Sequence, residues 1–79
     1  MDIKVYFSPN CPVCMKLLDF LKNNSVDFEA VDVSLEENKE EAKHIIDETG
    51  DYLVPVIEID DKVIEGFDEE KLKAELKLK

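Results

Sequence analysis

A chain of 79 residues is long enough for one domain and buries only about 60% of the surface its unfolded form exposes, so its core has little redundancy. Hydrophobic residues at 44% and charged residues at 38%, with only 2 glycines and 3 prolines, exclude a disordered linker. The formal charge of −10, from 20 acidic and 10 basic side chains, repels phosphate backbones and anionic lipid headgroups and so excludes nucleic acid and membrane surfaces as partners.

In chain order, Ile3-Lys4-Val5-Tyr6-Phe7 strings β-branched and aromatic residues together and predicts a strand buried on both faces, ended by Pro9 and Asn10. From Pro12 to about Asn23, the residues Cys14, Leu17, Leu18 and Leu21 fall at i, i+3, i+4 and i+7, one stripe of a helix whose first turn accepts the proline. Asn23, Asn24 and Ser25 break that period, and Asp27 to Val33 reads as a second strand. Strand, helix and strand in succession make a βαβ unit, whose right-handed crossover sets the two strands parallel. Ser34 with Glu37 is the sequence of a capping box and predicts a second helix through about Glu48. Its stripe of Leu35, Ala42, Ile45 and Ile46 is thin, and Gly50 after Thr49 suits a left-handed C-cap. Val54 to Ile59 and Lys62 to Glu65 then form a hairpin about Asp60-Asp61. Gly66-Phe67 lead into a last helix capped by Asp68, with Phe67 stapled to Leu72 and Leu76 extending the buried face. The expected architecture is a single domain over residues 1–79, an α/β fold with a four-stranded mixed sheet and three flanking helices. No apolar run approaches the roughly 20 residues that span a bilayer, and Met1-Asp2-Ile3-Lys4 has no leader-like stretch, so a soluble cytoplasmic monomer is expected.

Cys11-Pro12-Val13-Cys14 sits between the first strand and the first helix. A chain with 2 cysteines is not stapled like a small secreted domain. A disulfide across so short a loop stabilises by only ~2 kcal/mol, a weak motive for the pair. A CxxC closing the first strand of a βαβ unit is instead the setting of a redox dithiol. Unpaired N–H groups and the positive dipole end at the helix start favour a thiolate, so Cys11 is expected to titrate below the ~8.5 of a free cysteine. Cys14, one turn inside, points along the apolar stripe and is placed to attack a mixed disulfide at Cys11. Zinc is disfavoured because the one histidine, His44, lies far along the chain and reads as a solvated helix residue. No metal is expected.

Three motifs in order resemble the glutaredoxin family along essentially the whole chain: Cys11-Pro12-x-Cys14 after a strand, Thr49-Gly50 ahead of Val54-Pro55, and Gly66-Phe67-Asp68 before the last helix. The resemblance implies a thioredoxin-like fold with strand order 2-1-3-4, Cys11 as nucleophile and Cys14 as resolving thiol. It also implies a cis Val54–Pro55 bond facing the pair, with the Val54 backbone pairing to an extended substrate. The implied site for glutathione or substrate comprises Val54, Pro55, Gly66, Phe67, Asp68 and Glu69, with glutathione as co-substrate.

Several positions depart from the glutathione-using pattern. That pattern usually has a lysine at Ser8, a polar or basic pair at Asp51-Tyr52, a threonine at Leu53 and an aromatic residue at Val13. Gly66-Phe67 is also similar to the small redoxins served by thioredoxin reductase, although those lack the proline at Pro12. The chain has no tryptophan, which sets it apart from thioredoxins themselves. The expected function is a glutaredoxin-like thiol–disulfide oxidoreductase acting on disulfide-containing proteins or glutathione mixed disulfides. Glutathione is the expected reductant, and a flavin-dependent reductase of the thioredoxin-reductase type is the alternative. A module binding an iron–sulfur cluster is a third reading, which Pro12 argues against.

Overall fold

The computed structural model describes residues 2–45, 49 and 53–77. Within them the strands form one sheet in the order β2-β1-β3-β4, the expected 2-1-3-4. Central β1 (Ile3–Phe7) runs parallel to β2 (Glu29–Asp32) and antiparallel to β3 (Val56–Ile59), so that Val5 lies between Ala30 and Ile57. β3 turns at Asp60-Asp61 into antiparallel β4 (Lys62–Glu65). Asp60 adopts a left-handed φ of 53°, which aspartate tolerates better than most residues. Its N–H donates to the Asp2 carbonyl at 2.9 Å and its carboxylate accepts the Asp2 N–H at 2.8 Å, tying the hairpin tip to the start of β1.

α1 (Pro12–Asn23) has Cys11 as its N-cap and Pro12 at its start. It ends in a Schellman motif: Val26 N–H donates to Leu21 O at 2.9 Å and Ser25 N–H to Lys22 O at 3.1 Å, with Ser25 left-handed at φ 57°. α2 (Glu69–Leu76) is capped by Asp68, whose carboxylate accepts the Lys71 N–H at 3.1 Å. Both helices cover one face of the sheet, where Ile3, Val5, Ile57, Ile59 and Ile64 meet Leu17, Leu21 and Leu72. Phe67 and Leu76 pack on this same cluster, as the staple reading requires. On the other face, Tyr6, Val31, Val33 and Val56 are covered by Ala42 and Ile45.

That second cover is not the expected helix. Two α-helices flank the sheet among the described residues rather than three, and the segment after β2 forms two short 3-10 turns, Glu36–Asn38 and Lys43–Ile45. The capping box fails because the Ser34 N–H and hydroxyl both donate to the Asp32 carboxylate, at 2.9 and 2.6 Å. Asn38 Nδ2 also donates back to the Asp32 carbonyl at 2.9 Å. Such side-chain bonds offer the backbone an alternative to the helix ladder. Glu36, Glu37, Glu40 and Glu41 repel along any helix there, and Leu35 stays 44% exposed, leaving too narrow an apolar face to drive helix formation by packing. The expected end of that helix and its Gly50 cap lie outside the described residues. β2 is also shorter than the Asp27 to Val33 stretch, although the Val33 N–H still reaches Phe7 O at 2.9 Å. No helix among the described residues is long and apolar enough to cross a membrane.

Candidate active site

At the end of β1 the chain turns through Ser8–Asn10, and the Cys11 N–H donates to the Ser8 carbonyl at 3.1 Å. This turn hands Cys11 to the N-cap position in extended geometry, φ −102° and ψ 108°. Its carbonyl begins the helix ladder by accepting the Met15 N–H at 3.2 Å. Its sulfur accepts the Cys14 N–H at 3.3 Å, the role an oxygen plays in an ordinary N-cap. Cys11 is half-buried and Cys14 is fully buried on the helix stripe, and both are free thiols.

The two sulfurs are driven apart in acidity. Cys11 lies below the ordinary cysteine range because the Cys14 thiol donates a hydrogen bond to it and the Cys14 and Val13 backbone N–H groups add theirs, against a smaller opposing effect of burial. Cys14 is pushed up to about 11, first by burial and then by donating that bond. The first turn of α1 holds no acidic side chain to oppose a thiolate. The arrangement can present one reactive thiolate to solvent and hold a second thiol in reserve beneath it.

The other residues singled out from the sequence come to the same end of the sheet. Val54 and Pro55 immediately precede β3, whose first residue, Val56, pairs with Tyr6 near the end of β1, and the Val54–Pro55 bond is cis. Glu65, the last residue of β4, faces Val56, and the Gly66 N–H donates to the Pro55 carbonyl at 2.7 Å. Gly66 is left-handed at φ 76°, a conformation that favours glycine. Phe67 packs its ring on Phe20 of α1, centroids 5.6 Å apart, which holds the β4–α2 connection against the helix that starts at the cysteines. Asp68 and Glu69 stand exposed at the start of α2. Glu69 also pairs with Lys73 at 3.3 Å.

His44 is exposed, with 52% of its side-chain surface accessible, as a solvated residue should be, but it is not in an α-helix. It belongs to a 3-10 turn, and its Nε2 lies 2.7 Å from Glu58 Oε2 while its ring meets Tyr6 edge-on. The sequence held one signal for this: Lys4 and Tyr6 alternate with Ile3 and Val5, which marks a strand face that is partly polar. Among the described residues, no group of three or more His, Cys, Asp or Glu side chains is arranged to hold a metal ion.

Comparison with known proteins agrees with this geometry. Residues 3–64 match the family model described as Glutaredoxin. An uncharacterized glutaredoxin-like 8.6 kDa protein in the rubredoxin operon of Clostridium pasteurianum is 37% identical over 71 residues, 89% of this chain and 91% of that protein. The crystal structure of a glutaredoxin from Archaeoglobus fulgidus superposes with a TM-score of 0.79 at 36% identity, covering 95% of this chain and 85% of that one. Methanosarcina acetivorans methanoredoxin gives a TM-score of 0.79 at 30% identity, covering 95% of this chain and 83% of its own.

Proposed function

The chain belongs to the glutaredoxin family of thiol–disulfide oxidoreductases, and from that premise we propose that it reduces disulfides with Cys11 as nucleophile and Cys14 as resolving thiol, glutathione returning the electrons. The observation that carries this is the contact between the Cys14 N–H and the Cys11 sulfur at the start of α1. It pairs a stabilised, accessible thiolate with a buried thiol one turn away.

The Cys11 thiolate attacks one sulfur of the substrate disulfide, and the other sulfur leaves as a thiolate that takes up a proton. Cys14 then loses its proton and attacks the Cys11 sulfur of the mixed disulfide, releasing the second substrate thiol. Two electrons have passed to the substrate and the Cys11–Cys14 disulfide has formed. Two glutathione molecules reduce that bond and leave as glutathione disulfide. In this reading the Val54 backbone beside Pro55 pairs with an extended substrate, Gly66 and Phe67 shape the adjoining wall, and Asp68 and Glu69 receive a cationic group.

A flavin-dependent reductase is the competing electron donor. Leu53 is 39% exposed where a polar side chain would help to hold glutathione, and Ser8 supplies no charge beside the cysteines. A coupled turnover assay separates the two, comparing glutathione with its reductase against thioredoxin reductase. Faster turnover with glutathione supports the proposal, and turnover with the flavoenzyme alone replaces glutathione in it. Neither the Cys11→Ser nor the Cys14→Ser variant should complete a cycle on a protein disulfide.

A further inference from the structure

On the sheet face away from α1 and α2, Glu58 of β3 uses both carboxylate oxygens. Oε2 lies 2.7 Å from His44 Nε2, and Oε1 accepts the Tyr6 hydroxyl at 3.3 Å. A carboxylate can only accept, so His44 Nε2 carries the hydrogen of that contact. The His44 and Tyr6 rings meet edge-on with centroids 5.2 Å apart. Tyr6 is 1% exposed, so Glu58 satisfies an otherwise buried hydroxyl as well as fixing the histidine. Beside them Lys4, opposite Glu58 in the strand register, reaches Glu29 at 3.3 Å and Glu41 at 3.1 Å. Residues 41–45 are therefore pinned to the sheet at two points, Glu41 on Lys4 and His44 on Glu58.

The residue after His44 connects this clamp to the redox end. Ile45 is buried, and its carbonyl accepts the Leu53 N–H at 2.9 Å. Val54 packs against the cluster of Tyr6, Ala42, Ile45 and Val56. The backbone of Leu53 and Val54 thus rests on the turn that His44 holds down.

We propose that His44, held by Glu58, is a positioning residue that sets the Leu53–Val54 backbone against Cys11 and thereby governs binding of extended disulfide substrates. This rests on the reading of Val54 as the substrate-pairing residue. His44 touches neither cysteine, so it acts on how a peptide docks and leaves the sulfur chemistry alone.

The test uses two substrates: the mixed disulfide of a short unstructured peptide with mercaptoethanol, and hydroxyethyl disulfide, which has no strand to pair. In the intact protein, His44→Ala should raise KM for the peptide roughly five-fold, the scale of one lost hydrogen bond. Its kcat, its rate with hydroxyethyl disulfide and the Cys11 thiolate titration should be unchanged. His44→Gln, whose amide can still donate to Glu58, should restore KM. In a Tyr6→Phe background, which leaves no buried hydroxyl without its partner, Glu58→Ala should match His44→Ala, and combining the two should add nothing further. If the wild-type protein shows no preference for the peptide, the pairing role of Val54 falls and this proposal falls with it. If the preference exists and His44→Ala leaves it intact, or slows both substrates equally, the positioning role alone is wrong.

Discussion

Cys14 gives Cys11 two hydrogen-bond donors, its backbone N–H at 3.3 Å from the sulfur and its own thiol. The thiol bond is the larger influence on Cys11 acidity, so under the proposed mechanism the resolving residue would also activate the nucleophile. Removing it with Cys14→Ala should move the Cys11 titration upward, and Cys14→Ser, whose hydroxyl can still donate, should move it less. Ultraviolet absorbance of the thiolate in the two variants checks this. Brief alkylation of the reduced wild-type protein near neutral pH should label Cys11 alone, as its exposure and acidity require. Preferential labelling of Cys14 reverses the assignment of the two roles.

The same burial makes the reduced protein sensitive to alkali. Cys14 is pushed up to about 11 and Tyr6 to about 12, chiefly by burial in both cases. A group whose folded value is raised stabilises the fold below its unfolded value, and the contribution is lost as pH climbs to the folded one. Stability should fall from about pH 8.5 upward through Cys14, and further from about pH 10 through Tyr6. Urea midpoints across that range should decline for the reduced wild type. Tyr6→Phe should flatten the upper part of the decline while leaving the lower part. A midpoint that stays level from neutral pH to pH 11 contradicts the burial of both groups.

Local signals made most of this fold legible. The helix from Pro12 to Asn23, the hairpin at Asp60-Asp61 and the Asp68 cap are each specified by neighbours in sequence, and each is present. The CxxC announced its own chemistry because a strand end and a helix start leave few other reasons for two cysteines at that spacing. The segment after β2 was illegible because its outcome depends on partners elsewhere. Asp32 captures Ser34, Lys4 holds Glu41 and Glu58 holds His44. A capping-box pattern says nothing about a carboxylate two residues upstream that competes for the same serine. The partners of Tyr6 were hidden for the same reason, since β3 lies far from β1 along the chain.

Gly66 offers a test of backbone conformation separate from side-chain contact. Its φ of 76° is left-handed, yet a Cβ built there meets nothing within 4 Å. Gly66→Ala should therefore cost about 1–2 kcal/mol of stability from conformation alone. Gly66→Asn should cost less, because asparagine enters that region more readily. Denaturant midpoints give the ranking. A loss much larger than this points to a steric conflict that the open space around Gly66 does not contain.

Electrostatics should divide the enzyme's own acidity from its encounter with glutathione. The causes that lower Cys11 are hydrogen bonds within the CxxC turn, and the first turn of α1 carries no carboxylate. Charges elsewhere on the surface are screened beyond a Debye length of about 8 Å at physiological salt. The Cys11 titration should therefore move little with ionic strength. Glutathione is an anion approaching a chain of formal charge −10, so its encounter rate should climb as salt is raised from low values. Ser8 lies next to this balance, its carbonyl bonded to the Cys11 N–H at 3.1 Å. Ser8→Lys places a cation one turn from the sulfur, which should lower the Cys11 titration and raise glutathione turnover most at low salt. Thiolate absorbance and coupled turnover, each measured in low and physiological salt for both proteins, separate the two effects. If the titrations of wild type and Ser8→Lys coincide while turnover still rises, the lysine acts on recruitment of the anion only. If neither changes, the charge of this surface has no bearing on the choice of reductant.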